Sequence, residues 1–223
     1  MITFKPGEIK KSGDMYFIYG DGGTGKTSLS KLFTGKKLLL TFDGSWNALV
    51  GTTDTAVMAF GKSDEVTLQR TVDKYLNQYL VNDTFDVIIL DNVTALQNFV
   101  LENIDGASKD SRQNYQKLQA WFRSLANSLR DSHKTILATA HQIDNGGNGL
   151  DGKGRFEADM NQKTFNAFTG PFDVVGRIYK EKGERFIDMD TENGNHAKNR
   201  IDDRTLIKAE ELLNNEEEKK EEN

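Results

Sequence analysis

Cysteine is absent from the 223 residues of the chain, which excludes a disulfide framework, a thiolate metal site and thiol catalysis. Long apolar runs are missing as well. No stretch approaches the roughly 18 residues that a membrane span needs. The opening Met1-Ile2-Thr3-Phe4-Lys5-Pro6-Gly7 lacks the apolar core of a secretory signal, so the cytoplasm is the expected compartment. Net charge is low, −5, and unevenly placed. Seven acidic residues and two lysines from Glu210 onward account for all of it, leaving 27 residues of each sign in the body. The run Glu216-Glu217-Glu218-Lys219-Lys220-Glu221-Glu222 offers nothing to bury. The expected organisation is therefore one folded unit, 1–208, and a disordered acidic tail, 209–223. Such a tail either aids solubility or acts as a tethered polyanion that competes for a basic groove.

What is present begins with Gly20-Asp21-Gly22-Gly23-Thr24-Gly25-Lys26-Thr27, which satisfies the phosphate-binding loop pattern at every required position. Glycines let the backbone wrap closely enough for several N–H groups to face one phosphate chain. Lys26 reaches the outer phosphates, and the Thr27 hydroxyl holds Mg²⁺. The loop follows a buried-strand run, Met15-Tyr16-Phe17-Ile18-Tyr19, and precedes a helical pattern at Leu29, Leu32 and Phe33. Its N–H groups are then expected at a helix N-terminus, where the macrodipole favours anions. The loop implies a bound nucleoside triphosphate.

Further strands are legible at Lys37 to Phe42, Thr55 to Phe60, Phe85 to Asn92 and Thr135 to Ala140, with helical stretches from Ser63 to Val81 and along Tyr115, Leu118, Phe122, Leu125 and Leu129. That last stripe reads as core. Strands alternating with helices predict an α/β fold, a mostly parallel sheet covered on both faces. The pattern breaks from Ile143 to about Gln162, a glycine-rich stretch expected to be a functional loop. Two strands around Lys182-Gly183-Glu184 then form a C-terminal hairpin.

Three strand ends carry chemistry. Asp91 closes four consecutive aliphatics and is the natural second partner of Mg²⁺. Asn92 follows it, where many P-loop motors have a catalytic glutamate, so the base that activates water must come from elsewhere. Asp43 is the first choice and Glu65 a weaker one. Gln142 would sit beside the γ-phosphate if its strand lies between the loop strand and the Asp91 strand, ordering water or reporting the phosphate. His141 beside it either shares that site or simply packs.

In this order, the loop, Asp43, Ile88-Ile89-Leu90-Asp91-Asn92, His141-Gln142 and His196-Ala197-Lys198-Asn199-Arg200 resemble the RecA-like recombination ATPases. More narrowly, the chain resembles their short, core-only phage forms, the recombinases and single-strand annealing proteins, from about Gly13 to Arg204. The resemblance implies a DNA-stimulated ATPase assembling side by side on single-stranded DNA, with ATP and Mg²⁺ held between neighbouring subunits in the cytoplasm of an infected bacterium. It also implies a single-strand-binding protein as a partner. Lys198 and Arg200 match the position from which family members reach a neighbour's site, where a cation stabilises the transferring phosphoryl group. Two loops match the DNA-binding segments: Asp105 to Asn114, with Lys109 and Arg112, and Ile143 to Lys163, with Lys153, Arg155, Phe156 and Lys163. Cations would meet phosphates there, and the ring would stack on a base.

Two departures temper the resemblance. Ser45 stands where recombinases place a glutamate two residues after the Asp43 position, and no additional DNA-binding domain or polymerisation motif is evident. Annealing or single-strand binding is thus a safer expectation than strand invasion. The alternatives are a P-loop ATPase serving a protein partner, such as a helicase loader or assembly factor, and a nucleotide-gated oligomerisation module with little turnover.

Overall fold

In the computed structural model, residues 5–8, 11–146 and 155–214 are described. The expected α/β fold is what these residues form. Ten strands make up the sheet system: β1 (Met15–Gly20), β2 (Lys37–Thr41), β3 (Thr55–Ala59), β4 (Val87–Asp91), β5 (Thr135–Asp144), β6 (Phe156–Ala158), β7 (Val174–Glu181), β8 (Glu184–Asp188), β9 (Lys198–Asn199) and β10 (Leu206–Lys208). Four α-helices accompany them: α1 (Leu68–Leu80), α2 (Val93–Glu102), α3 (Ser111–Asp131) and α4 (Gln162–Thr169). The order across the sheet is β10-β8-β7-β1-β5-β4-β2-β3. Pairings from β7 through β3 are parallel, and β8 and β10 add antiparallel partners at one side.

Central strands β1, β2 and β4 are buried at every residue, as expected where helices cover both faces of a parallel sheet. Side chains alternate between two cores. One face holds Phe17, Tyr19, Ile88, Leu90 and Ala138 against α1, α2, α3 and α4. Phe17 meets Phe165, Phe168 and Phe172 edge-on at centroid distances of 5.4–6.1 Å, which locks α4 beneath β1. The other face holds Ile18, Ile89, Leu137, Ile178 and Ile187 against Leu29 and Phe33.

Several expectations need correction. The helix expected after the phosphate loop is present as a 3₁₀ helix of six residues, Thr27–Leu32. Anion binding there must rest on the loop's own N–H groups more than on a macrodipole. Tyr115 is 44% exposed, whereas Leu118, Phe122, Leu125 and Leu129 are buried, so the core stripe of α3 starts one turn later. The expected tail does not begin at 209. Ala209–Glu211 is a 3₁₀ turn, and Ala209 and Leu212 are buried against the second core, because two apolar side chains there outweigh the charge around them. Residues 215–223, most of the predicted tail, lie outside the described residues.

The long loops are also more structured than expected. Ser111 to Asn114 form the first turn of α3, capped by Asp110, whose carboxylate accepts from the Arg112 N–H at 3.0 Å. Within the second stretch, β5 continues to Asp144 and pairs antiparallel with β6, and Lys163 lies in α4. Tyr19 ties this ribbon to the sheet: its hydroxyl donates to the Phe156 carbonyl and accepts from the His196 N–H, both at 3.0 Å.

Candidate functional site

The C-terminal ends of β1, β2, β4 and β5 converge on a cavity of about 360 Å³. Its floor is Gly22, Gly23, Gly25, Lys26, Thr27 and Ser28 of the phosphate loop. Its walls are Asp43, Ser45 and Ala48 after β2, Asp91 and Asn92 at the end of β4, His141 in β5 and Arg185 in β8. Strand order explains the convergence. Strand β5 lies between β1 and β4, so its end stands directly beside the loop. Gly20, Asp21 and Thr24 complete the loop, and the Thr24 hydroxyl donates to the Asp21 carbonyl at 2.8 Å.

Lys26 is buried, and its ammonium donates to the carbonyls of Gly20 at 2.8 Å and Asp21 at 2.9 Å. Burial lowers its pKa, with Asp91, Asp21 and Asp43 opposing the shift. Asp91 is 2% exposed. It accepts from the Thr27 hydroxyl at 2.6 Å and from the Thr139 hydroxyl. Burial raises its pKa against those two bonds, so this carboxylate stands to gain from a cation.

Thr27 and Asp91 fit Mg²⁺ on this ground: two hard oxygen donors in contact, one of them a carboxylate short of positive charge. Among the described residues no cluster of three or more His, Asp or Glu gathers to hold a metal. The protein's share of such a site would thus be one hydroxyl and one carboxylate, as phosphate-loop sites require.

Asn92 accounts for the missing glutamate. Its side-chain oxygen accepts from the Ala95 N–H at 2.9 Å, capping α2. Its amide nitrogen donates to the Asp43 carboxylate and to His141 Nε2, the latter at 3.1 Å. An amide nitrogen only donates, so Nε2 is the acceptor in that bond. A glutamate could accept from Ala95 but could not donate to Asp43 or His141. Asp43 also accepts from the Ser45 N–H at 3.0 Å, which leaves its carboxylate fixed at the cavity wall.

Gln142 is placed differently from the expectation. Side chains alternate along a strand, so His141 shares the Thr139 face and lines the cavity while Gln142 turns away. It donates to the Asp21 carboxylate at 2.9 Å and accepts from Arg177 Nε at 2.9 Å. The wall position assigned to Gln142 belongs to His141.

Lys198 and Arg200 are not brought to this cavity. Lys198 pairs with Val175 and thereby stands level with Phe17, about 10 Å below Gly20 along the sheet. Its ammonium donates to the carbonyls of Thr169 at 2.7 Å and Gly170 at 3.2 Å, and Arg200 donates to Gly170 at 3.3 Å. Burial lowers the Lys198 pKa to about 8, helped by Arg200 and Arg130 and opposed by Asp173.

The predicted DNA-binding residues do not gather into one patch. Lys109 and Lys163 are exposed, and Arg112 Nε is held by Asp110 at 3.3 Å. Arg155 is paired with Asp144 through two bonds of 3.0 Å. Phe156 is covered by the Arg177 guanidinium at 3.4 Å and flanked by Arg155 at 4.6 Å, so it is no open stacking platform. Lys153 lies outside the described residues.

Arg185 escaped the sequence reading altogether. Only its place next to a tight hairpin turn could have pointed to it, since the turn brings β8 up beside the loop. Glu65, the weaker candidate base, does not line the cavity.

Residues 12–201 match the family model described as an AAA domain. No curated protein matches the chain. Among the described residues, no helix is long and apolar enough to cross a membrane.

Proposed function

This chain belongs to the AAA domain family, the nucleotide-binding P-loop ATPases, and from that premise we propose that it hydrolyses ATP while assembling with copies of itself on single-stranded DNA. Recombination by strand annealing, or replication, is the process this reading fits. The observation that carries it is the separation of the two cation sets. Lys26 serves the subunit's own cavity, whereas Lys198 and Arg200 are held at another level of the sheet, outside that cavity, as cations meant for a neighbour's site would be.

The loop N–H groups and Lys26 bind and orient the phosphate chain. Thr27 and Asp91 would hold Mg²⁺, which when bound would supply positive charge to the phosphate chain. Asp43 accepts the proton of the attacking water, and Asn92 keeps its carboxylate aimed into the cavity. His141 stands beside them on the cavity wall, its Nε2 engaged by the Asn92 amide, and helps hold that amide in place.

A second reading is an ATPase acting on a protein partner. It is favoured by the engagement of Arg112, Arg155 and Phe156 within the subunit, which leaves few predicted DNA contacts open. ATP hydrolysis measured with and without single-stranded DNA separates the two. Stimulation that weakens as salt rises supports the DNA reading. A rate indifferent to DNA, but raised by a protein from the same source, overturns it in favour of the second.

A further inference from the structure

One cation on the cavity wall has no part in the scheme above. Arg185 Nε donates to the Thr24 carbonyl at 3.0 Å, which lays the guanidinium across the phosphate loop beside Lys26. The contact is close enough to constrain the loop sequence. Gly25 has φ +100°, and a Cβ added there would come to 2.8 Å from Arg185 Nε. Glycine at 25 thus serves the loop's turn and the approach of the arginine together. Among the described residues, Arg185 Nη1 and Nη2 make no hydrogen bond, so the fork of the guanidinium is free for a ligand in the cavity.

The hairpin itself sorts its charges by face. Its turn, Lys182-Gly183, has positive φ at both residues and sets a tight register. Lys180 pairs directly with Arg185, and Glu181 with Glu184. Lys180 and Arg185 share the face of Ile178 and Ile187, which pack with Leu29 and Phe33 just after the phosphate loop. Glu181 and Glu184 share the opposite face, where Glu184 is answered by Lys208 at 2.8 Å. Like charges directly opposite one another destabilise a hairpin. On the loop side an anion would remove that repulsion.

We infer that Arg185 binds the phosphate chain of the nucleotide from within the same subunit, with Lys180, opposite it on the β7–β8 hairpin, adding positive charge from outside the cavity wall. The inference rests on the nucleotide-binding reading and adds a phosphate ligand from the same chain to it. Its contribution grows with the number of phosphates, because a guanidinium fork on a phosphate is a charge-assisted contact.

Calorimetric titration of the full chain with ATP, ADP and AMP in the presence of Mg²⁺ tests this, using wild type, Arg185→Gln, Arg185→Lys and Lys180→Ala. Glutamine keeps a donor for the Thr24 carbonyl and loses the charge. Arg185→Gln is expected to weaken ATP by about tenfold, ADP less, and AMP hardly at all. Arg185→Lys should retain most of the affinity, and Lys180→Ala should cost ATP about threefold. ATP affinity within about twofold of wild type in Arg185→Gln would overturn the inference. So would equal losses for all three nucleotides, which would mark Arg185 as a brace for the loop. Should Arg185→Gln fail to fold, Lys180→Ala decides: an ATP-selective loss supports the inference and its absence overturns it. A wild type that binds no nucleotide is a different result, and it removes the nucleotide reading as well.

Discussion

The phosphate-loop end of the sheet and the Lys198 surface handle charge in opposite ways. Around the cavity charges of both signs stand together: Lys26 lies near Asp91, Asp21 and Asp43, Asp91 takes two hydroxyls, Asp43 takes an amide, and Arg185 keeps its fork open. At the other surface Lys198 and Arg200 rest on the neutral carbonyls of Thr169 and Gly170. Arg130 there donates to the carbonyls of Gly13 and Pro171 and to Asp173, the one carboxylate among these contacts. A carbonyl fixes a cation's position without cancelling its charge. The first arrangement is suited to receive a ligand with its own counter-ion, the second to present positive charge outward.

The contrast can be broken in steps. The largest effect is expected from Asp43→Asn, which removes the acceptor for the water proton and should lower ATP turnover by about 10²–10³, with ATP binding kept. Phosphate release beside a nucleotide titration checks it, and unchanged turnover would place the base elsewhere. Lys198→Ala comes next, with a loss of about 10–100-fold in turnover if its cation acts across an interface. Mixing it with Lys26→Ala should then restore activity, since each variant supplies the half the other lacks. No recovery at any ratio, with both proteins co-assembling, would count against action in trans.

Leu212→Ala should lower stability by about 2–4 kcal/mol by denaturant titration, because the side chain is buried in the second core. A tail that merely hung from the fold would show no change. The smallest effect concerns pH. With its pKa lowered to about 8, Lys198 loses its charge as pH rises through that value, well before an ordinary lysine. Any activity that needs this cation should fall by about tenfold between about pH 7 and 9. Lys198→Arg should keep it level across the same window.

Local pattern carried the sheet, and the site only partly. The runs before Gly20 and Asp91 are apolar enough to name their strands, and the loop names itself. Which side chain of a pair faces the cavity depends on strand parity, and parity at His141-Gln142 was invisible until Thr139 was seen on Asp91. Asn92 read as a deficiency because its partners, Ala95, Asp43 and His141, come from three separate segments. Arg185 lies 160 residues from Gly25 in sequence, and no local signal spans that distance. The tail boundary failed for the opposite reason: acidic composition masked Ala209 and Leu212, which decide where burial stops.

The Tyr19 hydroxyl works as a mechanical joint. Tyr19 immediately precedes Gly20, Phe156 opens the ribbon after the glycine-rich stretch, and His196 leads into the strand of Lys198. A single oxygen atom joins three cords: the one that ends in the nucleotide loop, the one that begins at Phe156, and the one that carries the distant cations. Tyr19→Phe would release the loop's cord from the other two, which stay joined by the His196 N–H donating to the Phe156 carbonyl at 3.1 Å, at a cost of about 1 kcal/mol. Tension applied to any one cord is borne at the foot of the loop.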